Sequence, residues 1–302
     1  MAYDTIMVFH DKFKNHILPE KVHMLNVSFL VPVIRREYGG CAGNIAYNLK
    51  LLGETPYIMA TVGHDFEPYA QWLNCCQITP KYIKVLDDNY TGQAYITTDE
   101  DDNQITAFHP GAMNSSHLNS VPNTDQISIG IVSPDGKDGM QLHAREFADL
   151  DIPFIFDPGQ GMPMFDGDEL MELLDLATYA TFNDYESELM QDRTGLSLEQ
   201  IAERVDALIV TMGGEGSKIY TGGQCIEIPS AKAKELCDPT GCGDAYRAGL
   251  IFGIINEYDW AVTGRIASLL GSIKIEHHGT QNHSFDMDSF KERYFQNFGS
   301  SF

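Results

Sequence analysis

The sequence predicts an α/β fold, a mostly parallel sheet with helices on both faces. Three observations lead there. From residue 55 onward, short apolar runs bounded by turn residues alternate with stretches of helical periodicity, a rhythm that needs crossover connections and hence parallel strands. Glycine turns at 39–40 and 241–243 each run directly into an apolar helix. The 302 residues are 43% hydrophobic, enough for a large core, and no Pro/Ser-rich linker divides them. One domain over 1–302 is the simplest reading.

In chain order, Ala2–Phe9 reads as a strand that begins almost at Met1. Residues 24–37 are β-branched and apolar and close on Arg35-Arg36, so they read as an extended hairpin segment; Pro32, lacking an N–H, confines it to an edge or bulge. Tyr38 to Gly53 is a glycine turn entering a helix. Its apolar positions 45, 46, 49 and 52 share one face, and Gly53 stops it. Pro56–Val62 reads as a strand and 66–76 as a helix. Gln93–Thr98 and Gln104–His109 form a second extended pair around the acidic turn 99–103. Ile127–Ser133, Pro153–Phe156, Tyr179–Phe182 and Ala207–Thr211 are further strands. Ligands of such sheets sit beyond the carboxyl ends of the strands.

A formal charge of −23 argues against binding nucleic acid or an anionic membrane through the surface as a whole. A phosphate ligand would then be held locally by backbone amides, a helix N-terminus and a divalent metal. Six cysteines, two of them adjacent at Cys75-Cys76, do not read as a disulfide framework in a chain of this size. With no long apolar run and no basic leader, a reducing cytoplasm is the expected setting.

The chain's chemistry centres on residues 237–255, Cys-Asp-Pro-Thr-Gly-Cys-Gly-Asp-Ala-Tyr-Arg-Ala-Gly-Leu-Ile-Phe-Gly-Ile-Ile. Gly241 and Gly243 let successive N–H groups converge at the positive end of the following helix, which is a cradle for an anion. Asp244 is the anomaly, since a carboxylate beside an anion site repels the ligand unless it takes part in the reaction. A general base is one such part. Rival motifs fail: there is no Gly-x-x-x-x-Gly-Lys-Ser/Thr, no Gly-x-Gly-x-x-Gly at either turn near 213 or 241, and no protein-kinase His-Arg-Asp. His277, His278 and His283 lack the Cys or carboxylate spacing of a metal site.

Asp-Pro-Thr-Gly-Cys-Gly-Asp, 238–244, resembles the Asp-Thr-x-Gly-Ala-Gly-Asp signature of the ribokinase-like (PfkB) sugar and nucleoside kinases. The resemblance implies a three-layer α/β/α sandwich with a small β-sheet lid, built from segments at about 10–37 and 90–112. It makes Asp244 the base that takes the acceptor's hydroxyl proton, with the amides of Gly241, Cys242 and Gly243 as anion hole. Gly39, Gly40 and Asn44 match the family's Gly-Gly-x-x-x-Asn, and with Asp4 they would bind the acceptor. Cys41 stands where sugar kinases often have Lys. Asn183 and Glu186 match Asn-x-x-Glu, which orders magnesium and water at the phosphates; an N-capping Asn with an acidic first turn explains the same letters. Thr211, Gly213 and Gly216 match a nucleotide-contacting turn. Glu276–His283, including Asn282, would line the base of ATP, and Asp238 and Thr240 would help hold a monovalent cation such as K+.

The resemblance covers nearly the whole chain and is greatest to bacterial adenosine and nucleoside kinases. It implies ATP-dependent phosphorylation of the primary hydroxyl of adenosine or a related ribonucleoside in purine salvage. A ribose or fructose kinase is the neighbouring alternative, and a non-catalytic nucleoside sensor the alternative of another class. Phe29, Tyr38 and Phe108 are candidates to stack on a base. Besides ATP, magnesium and the acceptor, the expected partner is a second copy joined through the lid.

Overall fold

A computed structural model describes residues 1–17, 26–101 and 103–302. In chain order its elements are β1 (Ala2–Val8), β2 (Val33–Gly39), α1 (Cys41–Leu51), β3 (Met59–Gly63), α2 (Glu67–Cys75), β4 (Tyr82–Leu86), β5 (Gly92–Thr98) and β6 (Gln104–His109). Then come β7 (Gly130–Val132), α3 (Lys137–Asp149), β8 (Phe154–Phe156), α4 (Gly167–Leu176), β9 (Tyr179–Asn183), α5 (Asp184–Thr194), α6 (Leu198–Ala202) and β10 (Ala207–Thr211). The chain finishes with β11 (Ser217–Thr221), β12 (Gln224–Ile228), α7 (Cys242–Ile255), α8 (Trp260–Ile275) and α9 (Met287–Phe298).

The central sheet has the order β12-β11-β10-β9-β8-β7; β7 to β10 are parallel, and β11 and β12 are an antiparallel edge. Successive side chains of β8 show why it needs cover on both faces. Phe154 and Phe156 enter a core with α3, α4 and α5, while Ile155 enters the opposite core with α1, α7, α8 and α9. All three are fully buried, each worth roughly 1.5–3 kcal/mol relative to exposure. The result is the expected α/β/α sandwich.

A second sheet, β2-β1-β5-β6, is the lid. It includes β1, which lies outside the segments expected to form it. The segment expected to be extended from 24 to 37 is shorter than that: Met24 and Leu25 lie outside the described residues, 26–32 are irregular, and the ladder with β1 opens at Val33↔Val8. Pro32 has no N–H to extend it. In the acidic turn, Asp102 lies outside the described residues, and Asp99 accepts from the backbone N–H groups of Asn103 (2.8 Å), Asp101 (3.0 Å) and Phe13 (2.8 Å). One buried carboxylate thus ties both arms of the lid together.

The parallel sheet is not continuous. Among the described residues β3 pairs only with β4, and β7 only with β8, so the expected strands Pro56–Val62 and Ile127–Ser133 shrink to Met59–Gly63 and Gly130–Val132. A cavity of about 360 Å³, lined by Ile58, Ala60, Ile129 and Ile131 among others, separates them. Strand residues facing it have no ladder partner to hold them extended.

Candidate active site

At the carboxyl edge of the central sheet, Ser133 follows β7, Asp157 follows β8, Asn183 ends β9 and Thr211 ends β10. Asn183 and Thr211 are register partners. Asp244 lies in the first turn of α7, where Gly241 is the N-cap with φ +80°, a conformation that favours glycine. Ala245 donates back to the Gly241 carbonyl at 2.9 Å, and Cys242 donates to Pro239 at 3.2 Å. That bond removes one of the three amides expected in the anion hole. The N–H groups of Gly241 and Gly243 make no hydrogen bond among the described residues.

Asp244 is half-buried rather than sealed. Burial raises it above the ordinary carboxylate range, against a hydrogen bond from Asn44 and the charge of Arg247. The Asn44 Nδ2 to Asp244 Oδ2 distance is 2.8 Å. Asp4, on β1, faces the same space: burial first, then the charge of Asp244, push it up to about 6. Gly39 lies against it, and a Cβ there would overlap the Asp4 carboxylate. Asp4, Gly39, Asn44 and Asp244, spread over 240 residues of sequence, thus converge. Gly40 makes the turn from β2 into α1 with φ +82°. Cys41, in the first turn of α1, presents a thiol that burial and the charge of Asp244 keep protonated.

Three placements correct the sequence reading. Asp238 and Thr240 do not offer a vacant cation site. The Lys274 ammonium, with the residue 0% exposed, donates to the carbonyl oxygens of Asp238 (2.8 Å) and His277 (3.1 Å). Burial lowers its pKa, with Asp238 opposing. The Asp238 carboxylate is occupied by the N–H groups of Thr240 and Gly279. Next, the 276–283 segment is divided. Glu276 is paired to Arg293 and, with His277, borders a cavity of about 700 Å³ that does not reach Asp244. Thr280 bonds the Tyr38 carbonyl, and Asn282 donates to Glu37 of the lid at 3.0 Å, away from that cavity. Last, of the aromatic candidates, Phe29 packs on Phe9 and Phe13, and Tyr38 is stacked on Trp72 with ring centroids 5.4 Å apart. Phe108 alone remains open at 51% exposure, and the register Phe108↔Ala94↔Asp4 puts it on the Asp4 face of the lid.

Asn183 and Glu186 form a reciprocal capping box on α5, with bonds of 2.7 and 2.9 Å. The same letters therefore serve the helix. Glu186 is nevertheless buried with raised pKa, through desolvation first, and faces Arg247 and Asp157. The Thr211–Gly216 turn closes with Met212 N–H on the Gly216 carbonyl at 2.8 Å; Gly213 (φ +54°) and Gly216 (φ +96°) both take left-handed conformations.

Sequence reasoning overlooked an ion pair. Arg247, one turn after Asp244, donates Nε and Nη2 to the two oxygens of Asp157, both at 2.6 Å, and Nη1 to the Gly243 carbonyl at 3.2 Å. Arg247 is 8% exposed and Asp157 1%. An arginine in a helix that is otherwise uncharged after Asp244 was the visible signal; its partner, 90 residues away, was not.

The chain matches the family described as pfkB family carbohydrate kinase over residues 4–286. It is 33% identical, over 91% of each chain, to a nucleoside kinase of Methanocaldococcus jannaschii. Among solved structures it resembles the nucleoside kinase of Burkholderia thailandensis in complex with inosine, at 48% identity and a TM-score of 0.91, covering 99% of this chain and 96% of that one. The same enzyme with ADP-inosine gives 50% identity and 0.88, covering 99% and 94%. The chain thus belongs to the pfkB family of carbohydrate kinases.

Proposed function

We propose that the chain is an ATP-dependent nucleoside kinase that phosphorylates the primary, 5′-type hydroxyl of a ribonucleoside. The observation that carries this is the Asp244 carboxylate, held by Asn44 at the N-terminus of α7 and facing Asp4. A carboxylate whose pKa is raised by burial is a better proton acceptor for an alcohol. In this reading Asp4 and the second Asn44 amide hydrogen bind ribose hydroxyls, with Gly39 and Gly40 allowing the sugar close to the backbone. Asp244 takes the proton of the attacking hydroxyl. The Gly241 and Gly243 amides, at the positive end of α7, bear the charge that develops on the phosphoryl group. The Cys242 amide serves the turn. Phe108 stacks on the base. Similarity to a relative seen with inosine and with ADP-inosine supports a purine nucleoside such as adenosine or inosine.

Thr211, Gly213 and Gly216 are the proposed nucleotide contacts, with Asn183 beside Thr211. Among the described residues no three His, Cys, Asp or Glu side chains converge on a metal. Glu186 fits magnesium through water, as this ion keeps several waters and takes its other ligands from phosphate. When bound, magnesium neutralises charge on the phosphates. No monovalent cation is needed beside Asp238 and Thr240, since Lys274 already places a positive charge there.

One kinase domain over 1–302 is the proposed organisation, and the lid would exclude water that competes for the phosphoryl group. Its outer face exposes Ile34, Tyr95 and Ile105, which supports a homodimer joined there. No described helix is long and apolar enough to cross a membrane. A coupled ADP-release assay over nucleosides and sugars tests the reading. Turnover with adenosine or inosine and little with ribose or fructose is expected; the reverse preference would make the chain a sugar kinase.

A further inference from the structure

We propose that Gln281 is a positioning residue for phosphoryl transfer: oriented by Trp72, it fixes which way round the Asn44 amide sits and so keeps a hydrogen-bond donor on Asp244. Each link has only one possible direction. The Trp72 indole N–H is a donor only, and it reaches Gln281 Oε1 at 2.8 Å. The Gln281 amide must therefore point its NH2 inward. Those two hydrogens go to Asn44 Oδ1 at 3.0 Å and to the Tyr69 hydroxyl at 2.7 Å, which in turn donates to the Gly39 carbonyl at 2.9 Å. With its oxygen occupied by a donor, Asn44 presents Nδ2 to Asp244 at 2.8 Å. Asparagine and glutamine amides can turn over at little steric cost, so only the surrounding network decides their sense.

The network is dry. Gln281 is 2% exposed, Asn44 3% and Tyr69 0%, so no water can substitute for a lost partner. Nothing in the 238–244 motif predicts it, because Gln281 lies 237 residues from Asn44 and 209 from Trp72. If position 281 presented an acceptor in place of its NH2, the Asn44 amide would turn its own NH2 toward that acceptor and offer its oxygen to Asp244. Two acceptors would then face each other, and the carboxylate would take up a proton at higher pH. The other titratable groups around Asp244 are Cys41 of α1, Tyr69 of α2, Cys242 and Arg247 of α7, Lys274 of α8, Asp157 after β8 and Asp4 of β1. Of these Gln281 touches only Tyr69, and because a carboxylate at 281 would itself push Asp244 up, the uncharged Trp72→Phe is the variant that isolates the Asn44 contact.

This inference rests on Asp244 being the base, and the experiment separates the two. The pH profiles of kcat and kcat/KM are measured with a nucleoside acceptor for wild type, Gln281→Glu, Gln281→Met, Trp72→Phe and Asp244→Asn. Gln281→Glu keeps the shape and the acceptor for Trp72 but removes the NH2. Its expected effect is a roughly 10–100-fold fall in kcat/KM at pH 7, with the acid limb moved up by about one pH unit and KM for ATP little changed. Trp72→Phe frees the Gln281 amide to turn over and should give a smaller fall with a shift in the same direction. Should Gln281→Glu not fold, Trp72→Phe decides by the same profile, because a merely structural role lowers Tm without moving the limb; Gln281→Met, which gives Asn44 no acceptor to turn toward, should leave the limb in place. Superimposable limbs in all folded variants, with Asp244→Asn inactive, would overturn the relay and leave the base standing. An active Asp244→Asn would instead remove the base itself.

Discussion

Replacing Arg247 by Met tests the ion pair beneath the proposed base. The side chain is buried, both of its bonds to Asp157 are 2.6 Å, and a third bond holds the carbonyl of Gly243 in the anion turn. Removing one partner of such a pair leaves an uncompensated buried charge, which costs roughly 3–5 kcal/mol against a typical total of about 5–15. In a chain of 302 residues this corresponds to a fall in Tm of roughly 5–8 °C. Asp244 is affected as well. The charge of Arg247 opposes the upward pull of burial on its pKa, so without it the acid limb of kcat/KM should move to still higher pH. The double variant Arg247→Met, Asp157→Leu should recover most of the stability, because no charge is then left unpaired, and most of the limb shift, because the opposing charge of Asp157 is gone too. Thermal unfolding and pH–rate profiles read both effects. A single variant with unchanged Tm and an unshifted limb would refute the reasoning, and would mean that water reaches Asp157.

Three further predictions follow from the site. Asp244→Ala should lower kcat by roughly 10²–10⁴-fold with Tm little changed; turnover at the wild-type rate would dismiss this residue as base. Asp4, raised to about 6 from 3.8 by burial and the charge of Asp244, favours the folded state while protonated and loses that contribution as pH rises through 6. Asp4→Asn should therefore raise stability at pH 7.5 by about 1–2 kcal/mol, discounted from ~3 for partial exposure, with no gain near pH 4. It should also weaken acceptor binding and move the Asp244 limb down; an equal change in Tm at both pH values would contradict this account. Wild-type activity should be indifferent to exchanging sodium for potassium, whereas Lys274→Ala should lose activity and regain part of it with added potassium or ammonium. A potassium requirement in the wild type would show that the lysine does not stand in for the ion.

The elements legible in the sequence were those whose cause is local. β10 and β6 begin and end where their apolar patterns do, and the helix entered from Gly40 stops before Gly53, which has φ +93°. The 238–244 motif likewise announced its turn and its carboxylate, because a glycine N-cap and the helix after it are written within a few residues. Where the cause was distant the reading ran out. Asn183 and Glu186 carry letters that suit both a magnesium shell and a capping box, and the box is present. Phe29 and Tyr38 carry the right chemistry for stacking but meet other rings first.

The sequence by itself determined the α/β class, the two glycine turns and the acid at 244, since backbone conformation and hydrophobic periodicity are set by neighbours along the chain. Only the tertiary structure decided how that acid is supported. Arg247 finds Asp157 at the end of β8, Lys274 fills the bend at 238, and Gln281 crosses from the far end of the chain to Asn44. Direction in a hydrogen bond and partnership in an ion pair exist only once folding brings distant groups into a space without water. No spacing along the chain records them.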